Sequence, residues 1–176
     1  MVTISDPHIK AQGGYYVHDE ATKNGFYVKR EDGGDFTGWC WPGTSGYIDF
    51  TNPEARKWYS SLYNYDKYEG STDILYTWID MNEPSVFDGP EVTMKKTLKH
   101  HNNMEHRDVH NMYGYYHGMA THQGHLVRSN DNDRPFVLTR SFYAGSQQYV
   151  AVWTGDNMAN WDHLEKSIPM LLSLSM

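Results

Sequence analysis

Short apolar runs, separated by polar and glycine-rich stretches, organise the chain. "VTIS" (2–5) is β-branched and ends at the turn "DPH", so it predicts a short strand. "DILYTWID" (73–80) is almost continuously apolar, the pattern of a strand buried on both faces. "FVLTRS" (136–141) and "VAVWTGD" (150–156) predict two more strands, joined by the short connector "AGSQQY". In "TNPEARKWYSSLYNY" (51–65), Asn52 can cap a helix, Pro53 suits its first position and Glu54 complements its positive end. Residues 91–128 read as mostly helical, with a break near Gly114 or at the preceding Asn pair. "SNDNDRP" is a turn, and 160–176 predicts a last amphipathic helix that Pro169 kinks or turns. The stretch from Asp19 to Pro53 is rich in Gly, Asp and Trp, and reads as a long loop with a short hairpin at "FYVKR".

Strands alternating with helical crossovers predict an α/β protein with a parallel sheet. No G-x-G-x-x-G follows a strand, which weakens a doubly wound reading. A (β/α)8 barrel places its chemistry just past the C-terminal ends of its strands. Polar residues follow each expected strand in that way: Asp6 and His8, Asp80 to Glu83, Arg140, and Asp156 with Asn157. A whole barrel takes about 250 residues. The expectation is therefore a partial TIM barrel with about four strands of eight, all of 1–176 belonging to one catalytic domain. Both ends read as cut, and "MVTISDPHIK" does not read as a signal peptide.

Composition narrows the partners. A net charge of -7 argues against nucleic acid and against an anionic membrane surface, and no apolar run approaches the length of a membrane span. Fourteen Tyr and six Trp give aromatic faces that can fill a core or stack on sugar rings. The single Cys40 has no partner for an intrachain disulfide.

Paired carboxylates are what acid–base hydrolysis of a glycoside needs. Asp80 and Glu83 lie three apart where a strand gives way to a loop, and could converge only across a sharp turn. Glu83 therefore reads as a support that holds the loop. Asp156, which also follows a strand directly, is the better partner for Asp80. Taken locally, each Asp reads as well as a cap for the following turn. Other chemistries lack their motifs. His106 and His110 have helical spacing, but Arg107, Asp108 and Val109 between them break H-E-x-x-H, so no metal site is expected. "HRD" lacks the rest of the kinase signature, and neither Ser141 nor Ser146 sits in a G-x-S-x-G elbow.

"WIDMNEPSVF" resembles the catalytic signature of family 31 glycoside hydrolases, the α-glucosidases and their relatives. "GWCWPG", "YIDFTNP", "FVLTRSFYAGSQ" and "VWTGDN" match the same family in order, so the resemblance runs from end to end. It implies barrel strands 3 to 6 and a retaining α-glucosidase without a cofactor. Asp80 would be the nucleophile and Asp156 the general acid and base, with carboxyls about 5–5.5 Å apart. Arg140 would hydrogen-bond sugar hydroxyls and favour charged carboxylates nearby. Trp41, Trp78, Met81, Phe87 and Trp153 would wall the glucose pocket.

"GPEVTM", "EHRDVHN" and "YEGS" favour the branch that trims glucose from the oligosaccharides of new glycoproteins. That branch implies the lumen of the endoplasmic reticulum, a glucosylated oligosaccharide substrate and a non-catalytic β subunit as partner. The family's acidic glucose-binding residue before this region and its histidine after it have no counterpart here, so the chain alone is expected to be inactive. The rival reading is a truncated sugar binder or an inert product of the same family.

Overall fold

The computed structural model describes residues 1–174, so the last two residues of the helix expected over 160–176 lie outside it. Four strands form a parallel sheet: β1 (Val2–Ile4), β5 (Tyr76–Ile79), β6 (Val137–Thr139) and β7 (Ala151–Val152), in that spatial order. Every neighbour is parallel, with Ile4 opposite Trp78, Ile79 opposite Thr139 and Thr139 opposite Val152. The order never reverses, as it would in a doubly wound sheet. It is the one-way walk of a partial (β/α)8 barrel.

Alternation along β5 divides its side chains between two faces. Thr77 and Ile79 are wholly buried on the side of α4 (Tyr113–Ser129), where Thr77 Oγ1 bonds His125 Nε2 at 2.8 Å. Tyr76 and Trp78 lie on the other face and stay partly open. The expectation of burial on both faces is therefore corrected to one: among the described residues, no helix covers the face that carries Trp78.

The segment between β1 and β5 holds more structure than a loop. Helix α1 (Tyr16–Asn24) ends at Gly25, whose φ of 67° takes the left-handed conformation that closes a helix. Strands β2 (His8–Lys10), β3 (Thr37–Cys40) and β4 (Gly43–Tyr47) make a small antiparallel sheet ordered β2-β4-β3. The hairpin is therefore β3–β4, turning at Trp41–Pro42, whereas residues 26–30 make only isolated bridges. Helix α1 escapes the sequence pattern because it buries only Val17 and Ala21 and has no side-chain cap at its start. Helix α2 (Pro53–Ser61) forms as its capping signals predict, with Asn52 accepting from the Glu54 N–H at 3.0 Å.

Residues 91–105 hold no α-helix, only short 3-10 turns at Pro90–Val92 and His101–Asn103. Glu91, Val92, Asn102 and Asn103 all have φ between 56° and 60°, which no α-helix admits. Helix resumes as one turn, α3 (His106–Val109), and then as α4. Gly114 is no break but part of the first turn of α4. A Cβ there would lie 2.5 Å from Ser141 Cβ and 2.9 Å from Asn82 O. Helix α5 (Trp161–Ser173) runs through Pro169 without turning there.

The main core lies between the small sheet and helices α1, α2 and α4. Tyr27, Tyr47, Phe50, Tyr59 and Tyr113 are all buried in it, and Phe50 stacks on His117 at 4.5 Å. A smaller cluster of Ile79, Val137 and Val150 sits behind the parallel sheet. Many of the chain's aromatics are thus spent on packing. Among the described residues no helix is long and apolar enough to cross a membrane.

Candidate active site

The polar residues that follow β5 and β6 meet at one end of the parallel sheet. Asp80 closes β5, and the next residue, Met81, turns the chain with φ of 59°. The Met81 N–H folds back to Asp80 Oδ1 at 2.8 Å. The other neighbour of that oxygen is Arg140, just past β6, whose Nε lies 3.0 Å away.

Arg140 is the centre of the cluster. Its Nε and Nη2 donate to Glu83 Oε1 and Oε2 at 2.7 and 2.9 Å, and Nη2 also reaches Ser85 Oγ at 3.1 Å and Met81 Sδ at 3.3 Å. Ser85 Oγ donates back to Glu83 Oε2 at 3.0 Å, and Tyr47 OH donates to Ser85 O at 2.8 Å. Burial pushes the Glu83 carboxyl up, but the Arg140 bonds and charge outweigh it and hold Glu83 below the usual glutamate range. Glu83 therefore faces Arg140 and the loop, as a brace would.

Asn82 stitches the two strand ends together. It is wholly buried; its Nδ2 donates to Thr139 Oγ1 at 2.9 Å and its Oδ1 accepts the Ser141 N–H at 3.0 Å. Thr139 Oγ1 in turn donates to Ser141 O at 2.9 Å.

Asp6, at the end of β1, is the carboxylate that the sequence reading placed after a strand without giving it a role. Its pKa is pushed up to about 6, first by burial and then by the negative charge of Asp80. Asp6 Oδ1 is buried without a hydrogen-bond partner. Its other oxygen lies 3.7 Å from His8 Nε2, but burial lowers His8 to about 4, so the ring is neutral at pH 7 and the contact is not an ion pair there. The available signal was the repeated carboxylate after a strand, read locally as a turn residue.

Asp156 stands apart from this network. It lies in the irregular stretch after β7, is exposed, and its charge is felt by Arg140. Among the described residues its carboxylate has no hydrogen-bond partner.

The aromatic candidates form two edge-to-face pairs. Trp78, two residues before Asp80 in the chain, meets Trp153 at 5.5 Å and 83° on the open face of the parallel sheet. Trp41 and Phe87 meet at 4.8 Å and 82°. Trp41 is 69% exposed at the tip of the β3–β4 hairpin, which is tied to the Asp80 loop by Phe87 N–H to Trp39 O at 2.8 Å and Trp39 N–H to Asp88 Oδ1 at 2.7 Å. Met81, by contrast, is buried under the Arg140 guanidinium. No group of three or more His, Cys, Asp or Glu side chains among the described residues is arranged to hold a metal ion.

This arrangement sets acidic groups and a fixed cation at the C-terminal end of a parallel sheet with aromatic surfaces beside them, which suits a neutral polyhydroxylated ligand. The chain as a whole is similar to known proteins. The chain is 64% identical over its full length to neutral alpha-glucosidase AB of Dictyostelium discoideum, and 61% identical to neutral alpha-glucosidase C of Homo sapiens. It spans 19% of the length of each of these relatives. It also superposes, with a TM-score of 0.94 and 54% identity over 98% of its length, on 19% of a chain in the crystal structure of the ER glucosidase II heterodimeric complex of catalytic subunit and regulatory-subunit binding domain. Residues 1–176 match the TIM-barrel domain of glycosyl hydrolases family 31 throughout. The chain belongs to glycosyl hydrolase family 31, within that TIM-barrel domain.

Proposed function

We propose that the enzyme containing this chain is a retaining α-glucosidase, and that the chain is part of its single catalytic barrel domain. In this reading Asp80 attacks the anomeric carbon of a terminal α-linked glucose. A covalent glycosyl ester forms as the glycosidic bond breaks, and Asp156 donates its proton to the departing oxygen. Asp156 then takes a proton from water, which attacks the same carbon and frees Asp80. Two inversions return the α configuration.

The observation that carries the proposal is the environment of Asp80. One carboxylate oxygen is fixed between the Met81 N–H and Arg140 Nε, on a loop braced by Glu83 and Asn82. A nucleophile held this way is pre-oriented, and positioning is where much of the rate of such reactions comes from. Arg140, Trp78 and Trp153 then contact the bound glucose, Met81 backs the pocket from beneath the Arg140 guanidinium, Trp41 and Phe87 form the outer wall, and Glu83 acts through Arg140.

The similarity to a glucosidase II catalytic subunit supports a narrower reading: a glucosylated oligosaccharide of glycoproteins as substrate, the endoplasmic reticulum as location and a regulatory subunit as partner. The exposed, unbonded Asp156 favours a second reading for the isolated chain, that of a sugar binder without turnover. Glucose that raises its melting temperature while no α-glucoside is hydrolysed supports that reading. The principal test is Asp80→Asn in the full-length enzyme. Loss of glucose release from an α-glucoside is expected, and near-normal turnover refutes the assignment.

A further inference from the structure

Away from the candidate site, three histidines form an unbroken hydrogen-bonded chain on a buried carboxylate. Asp49 Oδ1 lies 2.8 Å from His100 Nδ1, His100 Nε2 lies 2.9 Å from His106 Nδ1, and His106 Nε2 lies 2.7 Å from His110 Nδ1. His100 and His106 are buried. His110 is half-buried and lines a cavity of about 580 Å³, together with Glu91, Lys95, Arg107 and Tyr143.

The chemistry of imidazole fixes every proton in this chain. Burial pushes the Asp49 carboxyl up, but bonds from His100, from the Thr51 N–H and hydroxyl, and from the His101 N–H hold it below its ordinary value. An ionised carboxylate only accepts, so His100 Nδ1 carries a hydrogen and, in the neutral ring, Nε2 accepts. His106 must then donate from Nδ1 and accept at Nε2, and His110 must donate from Nδ1. Any other neutral arrangement sets two hydrogens or two lone pairs against each other. The Nε2 of His110 is left as a bare acceptor.

We infer that Asp49, His100, His106 and His110 form a one-proton relay that reverses the hydrogen-bonding character of His110 Nε2. A proton binds at His110 Nε2, and the Nδ1 proton of His110 passes to His106 Nε2. The Nδ1 proton of His106 passes to His100 Nε2. One proton has entered, all three contacts survive, the two between histidines with their direction reversed and the one from His100 Nδ1 to Asp49 unchanged, and the positive charge rests on His100 beside Asp49. The charge settles there because only His100 faces a carboxylate across a hydrogen bond. His106, buried between two imidazoles, is held neutral, with its own pKa lowered to about 3.

Groups of both signs face the relay: Lys95, Lys96 and Arg107 line the cavity with His110 and oppose a proton there, whereas the nearby acids favour it. Tyr113 packs edge-on to His100 and stays un-ionised, held by burial and by the Asp49 charge. Glu83 and Glu91 face His110 and draw the proton in, against the burial that lowers this ring. In the neutral state the cavity offers an acceptor to a hydroxyl-bearing ligand; in the protonated state the same atom is a donor suited to an anion.

The test is nitrogen-15 NMR of the histidine rings in the full chain, titrated from alkaline to acid pH. The expected result is the Nδ1–H form for all three rings at high pH. One shared transition then converts His106 and His110 to neutral Nε2–H rings and His100 to the imidazolium. An imidazolium at His110 with an unchanged His106, or an Nε2–H form of His106 at alkaline pH, overturns the relay. His106→Phe should uncouple the ends, so that His110 titrates as an isolated ring and His100 loses its transition at that pH. If this variant does not fold, Asp49→Asn serves instead: the shared transition should move to lower pH, and an unmoved midpoint contradicts the proposed resting place of the charge.

Discussion

Arg140 and Glu83 meet in a two-point contact, Nε to Oε1 at 2.7 Å and Nη2 to Oε2 at 2.9 Å. A planar fork makes this contact and an ammonium cannot. Arg140→Lys keeps the charge but drops the fork and the reach to Ser85 and Met81. Both groups are part-exposed, so the expected loss of stability is modest, about 1–2 kcal/mol. It is read from the urea midpoint. In the full-length enzyme, the displaced loop should lower kcat/KM on an α-glucoside by about 100-fold.

Asp6 should be a carboxyl whose ionisation opposes stability. Its folded pKa of about 6 lies well above the ordinary aspartate value of 3.8. The preference of the fold for the neutral acid is therefore fully present below the unfolded value and is lost as pH rises through about 6. Asp6→Asn should stabilise the chain at pH 8 by about 1–2 kcal/mol, after allowance for the solvent that reaches the carboxyl, and the gain should disappear by pH 4. Denaturant melts at the two pH values check this. In Asp80→Asn, the midpoint of Asp6 in carboxyl NMR should fall, since Asp80 is one source of the shift.

Buried histidines should make the chain acid-sensitive, against the opposite and smaller contribution of the single Asp6 carboxyl. Burial lowers His117 to about 3 and His125 to about 4, from 6.5. The unfolded chain then binds more protons over that window. Stability is complete above pH 6.5 and declines as pH falls towards these lowered values. A urea midpoint that drops between pH 6.5 and 5 is the expected outcome; a flat profile contradicts the neutral assignment.

Gly114→Ala should be destabilising although alanine is the better helix former. The added methyl would meet Ser141 and the Asn82 carbonyl, neither of which is a flexible side-chain tip. Overpacking of this kind costs about 1–3 kcal/mol. A lower melting temperature with unchanged helical circular dichroism identifies a packing fault rather than a lost helix.

The four strands of the parallel sheet were legible because each is a compact apolar run ending in a polar residue. Helix α2 was legible because Asn52 and Pro53 mark its start in local chemistry. Helix α1 and the β3–β4 hairpin were not, since they are held by tertiary contacts. The hairpin strand "GTSGY" contains two glycines, and Gly46 is required only because Tyr27 presses on it. The false helix over 91–105 came from a composition that suits helices, overridden by four residues in left-handed conformations. At the site, the link between Glu83 and Arg140 spans 57 positions and could be anticipated only as a need for some partner. Asn82 and Ser85 gave no separate signal, because amides and hydroxyls usually serve turns, and Asp6 showed only as one more carboxylate after a strand.

The Asn82 stitch makes the loops after β5 and β6 one mechanical body. A force applied to Arg140 by a ligand is passed to Asp80 through Asn82 and Thr139 as well as through the ion pair. Asp156 rides on a different segment with no such fastening. In the proposed reaction, whatever steadies the stretch from Trp153 to Asp156 then sets the spacing of the two aspartates.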